Sequence, residues 1–445
     1  MYDTEPTRKN PPARWSLVWK CVVIGLAAGF MTSVYRMGMS YGVDFAISVY
    51  AFLRENIIYI PLWIGSAVIL GFVIYRVTVW EPSASGSGIP QVKGNIMFGL
   101  KMNWLKILIA RFSGGILGSL FGLSVGREGP CVHIGAAAAK PFSDKIGNKE
   151  TEKRLLITSG AAAGLSATFN APISGMIFAM EEIHHSFSEY VLISGITASL
   201  AADVVSSYIF GMTPVLDFMN IPQVNLDTCI WFIPVGITAG IVGWLMNFSF
   251  ASVQALYKKV PAWERPVIAI LIALPIGLFL PDALGGGEDL VRIAEEAKIG
   301  IAMILVLLIT KIIFSSTSFG SGVPGGIFMP ILACGALAGT AVGLVASEMG
   351  MPHEYVCNCA VFCMAGTLAS SLRAPVTAIF LVTEMTGVFV HFLPVAVCVL
   401  IAYVVSGFMG AHPIYDTLLE DYLQEHPEAK DGAGESFVCV LQNET

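Results

Sequence analysis

The chain alternates long apolar stretches with short polar segments that are rich in glycine. Stretches of the length that crosses a bilayer, about 17 to 25 residues each, recur along it. They lie at residues 58–80, 105–125, 191–212, 229–250, 300–314 with its flanks, and 390–409. Repeated apolar segments of this length are typical of membrane helices. The pattern predicts an all-α, polytopic membrane protein.

Composition strengthens this prediction. Of the 445 residues, 55% are hydrophobic and only 13% are charged, whereas roughly 25% of an ordinary soluble domain is charged. A water-soluble fold is therefore excluded, and we expect the lipid bilayer, and no nucleic acid, as the surroundings. The nine cysteines are scattered and lack both a disulfide framework and zinc spacing. We expect neither a bound metal nor a cofactor.

Basic residues set the expected orientation. Residues 1–20 are polar, carry no cleavable signal, and form a predicted cytoplasmic N-terminal tail by the positive-inside rule. Two later basic clusters are predicted on the same side, namely Lys140, Lys145, Lys149, Lys153 and Arg154, then Lys258, Lys259 and Arg265. A transmembrane domain is predicted over 21–415. Residues 416–445 are predicted to be an acidic cytoplasmic tail, which contributes much of the net charge of −7.

Three glycine-rich, proline-bearing runs interrupt the apolar pattern. They are Gly-Ser-Gly-Ile-Pro at 86–90, Gly-Arg-Glu-Gly-Pro at 126–130, and Gly-Ser-Gly-Val-Pro-Gly-Gly-Ile-Phe-Met-Pro at 320–330. Such runs break helices. Within a bilayer, irregular backbone is tolerated only where protein or a water-filled cavity satisfies its polar groups. Paired breaks at matching places in two halves indicate a binding site near the midplane.

The two halves of the chain match each other in order. Pro172 precedes Glu181 by nine residues, and Pro375 precedes Glu384 by nine residues. Upstream, one proline lies 42 residues before Pro172 and another lies 45 residues before Pro375. An odd number of spans between the copies would invert one half relative to the other. We therefore predict an inverted repeat, with a first half of about 21–212 and a second half of about 229–415.

A Gly-Ser-Gly-x-Pro element is also expected to open each half. Its two copies lie at 86–90 and 320–324, and about 36 additional residues follow the first copy. This pairing assigns the third run to the same structural position as the first.

Broken helices supply the chemistry of an anion site. A helix N-terminus leaves backbone N–H groups unpaired and carries about half a positive charge. Several such ends directed at one point bind an anion without a full positive charge. Glycines let the backbone approach the ion, while Ser87 and a tyrosine hydroxyl add neutral donors. Close helix packing alone explains one glycine run, but it does not explain three ordered runs with a glutamate in one of them.

Glu128 is the most informative acid, because it lies between two glycines at the predicted start of an apolar helix. It could serve only as a helix cap. The functional hypothesis is that its charged form occupies an anion position, and that protonation lets an anion replace it. One side chain would then couple proton occupancy to anion occupancy. For the neighbouring Arg127 two roles are open. Its side chain contributes to this anion position, or it forms a purely structural ion pair.

Glu181 and Glu182 are adjacent carboxyls at the end of an apolar helix. Because Glu384 matches Glu181 in the second half, we predict a shared architectural role for that pair. Glu182 has no counterpart, which makes it the candidate for passing protons between the cytoplasm and the interior. The alternative is that both acids are simply solvated at a helix end.

Four motifs together resemble the CLC family of chloride channels and proton-coupled chloride antiporters. They are the runs at 86–90 and 126–130, Gly-Ile-Phe-Met-Pro at 326–330, and His-Pro-Ile-Tyr ending at Tyr415, in the order of that family. The resemblance covers about residues 20–420. It implies a homodimer in which each subunit holds its own pore, built from two inverted halves with many tilted helices of unequal length.

The resemblance also implies roles for individual residues. Ser87 and Tyr415 match the hydroxyls that hold the central anion, together with the backbone amides of Ile327 and Phe328. Serine at position 87 resembles the chloride-selective type and differs from the nitrate and fluoride patterns. We therefore expect chloride as the anion.

The proton-handling residues of the family also have matches here. Glu128 matches the external gating glutamate, and the backbone amides of Arg127 and Gly129 match the lining of an outer anion position. Glu182 matches the internal proton glutamate that is typical of antiporters, with Glu181 as its accessory neighbour. The resemblance favours exchange of chloride for protons over the alternative, a passive voltage-gated or pH-gated chloride channel.

Two features depart from the family pattern. Met329 stands where alanine is common, and only about 30 residues follow Tyr415, so cytoplasmic nucleotide-binding domains are not expected. The prokaryotic plasma membrane is the expected location. An enzyme is disfavoured because catalytic groupings are missing, and a cation transporter is disfavoured because the acids lie mainly at helix ends.

Overall fold

The computed structural model describes residues 14–426 except 217, 219, 220 and 225. Residues 1–13 of the predicted N-terminal tail and residues 427–445 of the predicted acidic tail lie outside the described residues.

The described residues form seventeen α-helices in two sets. The first set consists of α1 (Arg14–Glu55), α2 (Ile60–Trp80), α3 (Ile89–Phe98), α4 (Trp104–Ser119), α5 (Glu128–Ile146), α6 (Glu150–Phe169), α7 (Pro172–Phe178) and α8 (Glu189–Phe210). The second set consists of α9 (Phe232–Tyr257), α10 (Glu264–Phe279), α11 (Glu288–Glu296), α12 (Ile301–Gly320), α13 (Phe328–Glu348), α14 (Val356–Leu372), α15 (Pro375–Thr386), α16 (Phe392–Phe408) and α17 (Ile414–Glu425). The predicted all-α architecture is confirmed.

Eight described helices are long and apolar enough to cross a membrane, namely α1, α2, α8, α9, α12, α13, α14 and α16. The sequence predicted five of them within a few residues and did not single out α1, α13 and α14. The stretch 105–125 was predicted as one span, but its helix ends at Ser119. The chain turns there because Gly122 adopts a left-handed φ of 66°, which only glycine takes without strain.

The ends of the helical region differ from the predicted tail boundaries. Helix α1 begins at Arg14, and α17 continues through Glu425, ten residues into the segment assigned to the acidic tail. The Lys20 ammonium lies 2.6 Å from Glu152 Oε1, and Lys258 lies 3.1 Å from Asp421 Oδ1. These ion pairs join the start of α1 to α6, and the end of α9 to α17, at the predicted cytoplasmic end.

The repeat is visible in the backbone conformation. Residues with a left-handed φ occur in pairs about 200 positions apart, each at the same place in its half. Four of the pairs are Gly86 with Gly285 (61° and 62°), Gly88 with Gly287 (90° and 111°), Gly122 with Gly322 (66° and 82°), and Asn170 with Arg373 (52° and 62°). Left-handed residues end helices or tighten turns. Both halves therefore break their helices at equivalent points.

This register shows that the predicted pairing of the two Gly-Ser-Gly-x-Pro runs is wrong. Residues 320–324 follow α12 in the same way that residues 120–124 follow α4. The structural counterpart of 86–90 is 285–289, a triple glycine followed by two acids at the start of α11. The two loops have different side chains and share only their φ angles. Their equivalence is therefore not visible from residue identities.

Each of these loops is held by a buried cation from its own half. Arg111 on α4 donates from Nη1 to the Gly86 carbonyl. Lys311 on α12 donates from Nζ to the carbonyls of Ala283 and Gly285, at 3.0 and 2.7 Å. Carbonyl oxygens that no helix satisfies are costly in a membrane interior. The two cations therefore stabilise equivalent breaks in the two halves.

The halves meet at an antiparallel bridge between Gly126 and Gly326. The Gly126 N–H donates to the Gly326 carbonyl at 2.8 Å, and the Gly326 N–H donates to the Gly126 carbonyl at 2.6 Å. Helices α5 and α13 begin two residues later, at Glu128 and Phe328. The bridge therefore holds the N-termini of two buried helices side by side.

Glu181 and Glu384 cap helices of the opposite half. The Glu181 carboxylate accepts from the N–H groups of Val376 and Thr377 at the start of α15, at 3.1 and 2.6 Å. The Glu384 carboxylate accepts from the N–H groups of Ile173 and Ser174 at the start of α7, at 3.1 and 2.8 Å. This reciprocal capping is the shared architectural role predicted for the pair.

We expect Glu384→Gln to destabilise the protein, because an amide accepts fewer of the N–H groups at the start of α7 than a carboxylate does. The expected loss is about 1–2 kcal/mol, measured as a lower thermal unfolding temperature in detergent. Glu348→Gln, at an exposed position at the end of α13, is the matched control. Equal unfolding temperatures for the two variants would show that the cap contributes no stability.

Candidate functional site

Four helix N-termini meet around the central bridge, those of α3, α5, α13 and α17. None of these four ends receives a capping hydrogen bond from the side chain of its N-cap residue. Their contacts establish that they converge. A Cβ atom built on Gly129 would lie 2.2 Å from Ser87 Oγ, and one built on Gly326 would lie 2.9 Å from the Gly129 nitrogen. The site is therefore lined by helix ends with positive dipoles.

Ser87 and Tyr415 place two neutral hydroxyl donors in this site. Both hydroxyl oxygens are buried, and neither has a hydrogen-bond partner, although the Tyr415 hydroxyl faces Ser87. The large majority of buried polar atoms in proteins are hydrogen-bonded. The two hydroxyls therefore point to an acceptor that the described protein atoms do not supply, such as an anion.

Glu128 extends its side chain back over the bridge. Its Oε2 atom would lie 2.0 Å from a Cβ atom on Gly126 and 3.1 Å from one on Gly326. Both carboxylate oxygens are buried without a hydrogen-bond partner. A methyl group at position 126 would collide with the carboxylate and displace it, so the glycine there leaves room for the carboxylate in this position. The carboxylate occupies the space between the starts of α5 and α13, where the helix dipoles favour negative charge.

Phe328 holds the position in the second half that Glu128 holds in the first, two residues after the bridging glycine. Its ring is fully buried. The ring centroid lies 6.0 Å from that of Tyr415, 6.1 Å from Phe178 and 6.4 Å from Phe169. The two halves therefore place an acid on one side of the site and an aromatic wall on the other. Ile327 is also fully buried beside it.

A cavity of about 400 Å³ leads to this site from the end of the molecule that carries the basic clusters. Its lining includes Ser87, Gln254, Arg265, Phe319 and Glu425. The cavity reaches Ser87. It therefore connects one of the two hydroxyl residues with the predicted cytoplasmic side.

Arg127 turns its side chain away from the anion cradle. Its Nη2 atom lies 2.6 Å from Glu288 Oε1 at the start of α11, and Nη1 donates to Ser40 Oγ at 3.0 Å. The ion pair is the structural role that the sequence left open for this side chain. Only the Arg127 backbone remains next to the site. Met329 packs on the same side, since a Cβ atom built on Gly286 would lie 3.3 Å from the Cβ atom of Met329.

Glu182 lies apart from Glu128, in a turn of π-helix that spans Ala179–Ile183. Tyr415 lies close enough to both acids to interact with each of them electrostatically. Glu182 Oε1 lies 3.3 Å from the buried ammonium of Lys93 on α3, which also pairs with Asp416 on α17. Neither Lys93 nor Asp416 was predicted from the sequence as a partner of Glu182. The signals in the sequence were a lysine three residues after Pro90 and an acid directly after Tyr415.

Comparisons with known proteins give a consistent result. The family model described as "Voltage gated chloride channel" matches residues 66–407. An H(+)/Cl(-) exchange transporter, ClcA, of Salmonella schwarzengrund (strain CVM19633) is 32% identical over 421 residues, which cover 91% of this chain and 88% of the relative.

Two solved structures are similar to the chain. One is a slow cyanobacterial Cl-/H+ antiporter, with a TM-score of 0.84 and 26% identity, covering 94% of this chain and all of that one. The other is a CLC-type fluoride/proton antiporter, with a TM-score of 0.72 and 23% identity, covering 88% of this chain and 95% of that one. The second likeness concerns the fold alone.

The fold and the site together define a multi-pass membrane protein with an inverted repeat and a central cradle of helix N-termini. The chain belongs to the voltage-gated chloride channel family, known as the CLC family.

We expect Gly326→Ala to weaken anion binding, because its methyl group would lie 2.9 Å from the Gly129 nitrogen and 3.1 Å from Glu128 Oε2. The methyl would fill the gap that an anion needs to reach the N–H groups. We expect chloride affinity, measured by titration calorimetry, to fall about tenfold or more. Gly65→Ala is the control, since a Cβ there meets nothing within 4 Å. Unchanged affinity in Gly326→Ala would mean that the gap is not an anion position.

Proposed function

We propose that the protein moves chloride across the membrane in exchange for protons. The observation that carries this proposal is the pair of buried, unpartnered hydroxyls of Ser87 and Tyr415 in a cradle that also contains the carboxylate of Glu128. Donors suited to an anion, together with an acid that competes for the same space, allow a proton to control anion occupancy. The names of the relatives, which include an H(+)/Cl(-) exchange transporter and a Cl-/H+ antiporter, support the same function.

The central chloride position is assigned to four groups. The hydroxyls of Ser87 and Tyr415 donate to the ion, and the backbone amides of Ile327 and Phe328 at the uncapped start of α13 complete its coordination. All of these donors are neutral. Ion conduction requires binding that is favourable enough for entry and weak enough for release, and dipolar donors meet both requirements better than a buried lysine.

Glu128 acts as the external gate and transfers the proton. In its ionised form the carboxylate occupies an anion position between the starts of α5 and α13. Protonation removes its charge and its attraction to the helix ends, so the side chain leaves and chloride enters. The backbone amides of Arg127 and Gly129 line the outer anion position. Because one carboxylate alternates with chloride, each proton bound is linked to a change in anion occupancy.

Glu182 transfers protons on the cytoplasmic side. It is buried and has no counterpart in the second half, and Tyr415 interacts electrostatically with both Glu182 and Glu128. Both oxygens of Glu181 accept hydrogen bonds from the start of α15. We therefore assign the internal proton step to Glu182, with Glu181 as an accessory acid that fixes the turn in which Glu182 lies.

The protein is proposed to form a homodimer with one pore per subunit. Asp203 lies in the middle of α8, is only about half buried, and has an unpartnered Oδ1 near Glu384. A carboxyl group in a membrane helix is costly when it faces lipid. A second copy packed on this face would cover it, together with exposed apolar side chains such as Leu200 and Val204. The anion cradle is complete within one chain, so each subunit would work alone.

The cell membrane of a prokaryote is the proposed location. The chain is a multi-pass membrane protein, and the relatives named above come from Salmonella and a cyanobacterium.

The decisive experiment uses purified protein in liposomes with an imposed chloride gradient. External pH is recorded while a potassium ionophore sets the voltage. Proton movement against its own gradient, driven by chloride, is the expected result. Chloride flux without such proton movement would identify a passive channel instead and contradict the proposed exchange.

In the same assay, we expect Glu128→Ala to abolish proton movement while chloride still flows. The substitution removes the group that carries the proton and leaves the hydroxyl and amide donors in place. Both fluxes are measured, with a chloride electrode and a pH electrode. Chloride-driven proton pumping in Glu128→Ala would show that Glu128 is not the gate.

We expect Glu182→Gln also to stop proton movement and to spare chloride flux. Glutamine keeps the size and hydrogen-bonding capacity of the side chain but does not take up a proton. The expected result is a loss of proton flux with chloride flux close to that of the unmodified protein. If protons still move at the original rate, Glu182 is a structural acid.

A further inference from the structure

Glu182 needs a proton supply, yet its side chain is only 3% exposed. The described titratable groups around it are Glu181, His185, Lys93, Asp416 and Tyr415. Glu181 accepts hydrogen bonds from the start of α15, whereas His185 lies near Lys93 and Asp416 and makes no hydrogen bond to Glu182. Lys93 is the group that makes a direct contact with Glu182, at 3.3 Å between Nζ and Oε1.

Lys93 connects Glu182 to a second carboxylate that solvent can reach. Its own side chain is 3% exposed, and its ammonium also donates to Asp416 Oδ1. The Asp416 side chain is 38% exposed. The three groups form a continuous chain from solvent to the buried acid, in the order Asp416, Lys93, Glu182.

Packing between α3 and α17 fixes this chain of contacts. Leu100, Leu419 and Leu423 form a separate apolar cluster between the two elements. A Cβ atom on Gly94, directly after Lys93, would lie 3.2 Å from Leu419 Cδ1, so the two helices are in close contact there. Lys93 and Asp416 therefore face each other on two helices that are held together independently of their charges.

We propose that Asp416 and Lys93 form the cytoplasmic proton inlet of Glu182. The Lys93 ammonium gives a proton to the ionised Glu182 carboxylate, which breaks an N–H bond and forms an O–H bond. The neutral amine then takes a proton from the carboxylic acid form of Asp416. Asp416 is reprotonated from water at the cytoplasmic surface. The first two steps each move one proton between two of the three groups and leave their total charge unchanged. The third step adds the one proton that is taken up from water.

The inlet rests on the proposed exchange, and it differs from a simpler role for Lys93. In that simpler role the ammonium is only a counter-ion that lowers the cost of a buried carboxylate. Arginine separates the two roles, because its guanidinium keeps the positive charge and donor groups but does not give up a proton in proteins. A counter-ion survives Lys93→Arg, and a proton relay does not.

The test measures chloride and proton fluxes of full-length variants in the liposome assay. We expect Lys93→Arg to retain chloride flux and to lose proton flux about tenfold or more, since removal of a positioned proton-transfer group typically costs at least that much. We expect Asp416→Asn to slow proton flux in the same direction, and Asp416→Glu to restore it. Chloride flux in each variant reports that the protein is folded.

Asp421→Asn is the matched control. Asp421 lies on the same helix as Asp416 and pairs with a lysine, Lys258, at 3.1 Å, but it makes no contact with Glu182 or Lys93. We expect both of its fluxes to stay unchanged.

The outcomes separate the inlet from the exchange itself. If the unmodified protein does not move protons, the proposed exchange fails. If the unmodified protein exchanges and Lys93→Arg or Asp416→Asn keeps its full proton flux, the inlet is overturned and the exchange stands. A loss in Asp416→Asn that Asp416→Glu does not rescue would indicate a structural role for Asp416 and would also overturn the inlet.

Discussion

The hydrogen-bonded bridge between Gly126 and Gly326 is the constraint on which the rest of the molecule depends. Two backbone bonds, of 2.8 and 2.6 Å, join the halves at the point where each helix has been broken. The glycines leave room there for the Glu128 carboxylate and for the close approach of the two backbone segments. Because α5 and α13 start immediately afterwards, their unpaired N–H groups are brought to one place. An anion cradle follows from the backbone alone, before any side chain contributes.

Function depends on where the two halves stop being equivalent. The bridging glycines are followed in one half by Glu128 and in the other by Phe328. The loop that starts α3 carries Ser87, whereas its counterpart at the start of α11 carries Gly286. The symmetric scaffold therefore supplies dipoles from both halves, while the proposed proton-binding group, Glu128, comes from only one of them. A fully symmetric site would bind an anion but would lack the single acid that competes with it.

The sequence predicted five of the eight candidate membrane helices and the inverted repeat, because each leaves a local signal in glycine, proline or apolar spacing. It also identified the matched Glu181 and Glu384, since nine residues separate each from its proline. It failed where the signal is three-dimensional. The counterpart of 86–90 was missed because only φ angles are kept there, and the contact between Lys93 and Asp416 was missed because 323 residues separate the two positions.

The partners of the buried cations account for weak anion binding at the proposed site. Arg111 and Lys311 donate to loop carbonyls, and Lys93 donates to two carboxylates. Each full positive charge is thus engaged by a partner of its own, and the donors left in the cradle are hydroxyls and backbone amides. An unengaged ammonium in this low-dielectric interior would hold chloride too strongly for rapid exchange. The same contacts direct the Lys93 ammonium at Glu182 and Asp416, so its charge is not among the donors of the cradle.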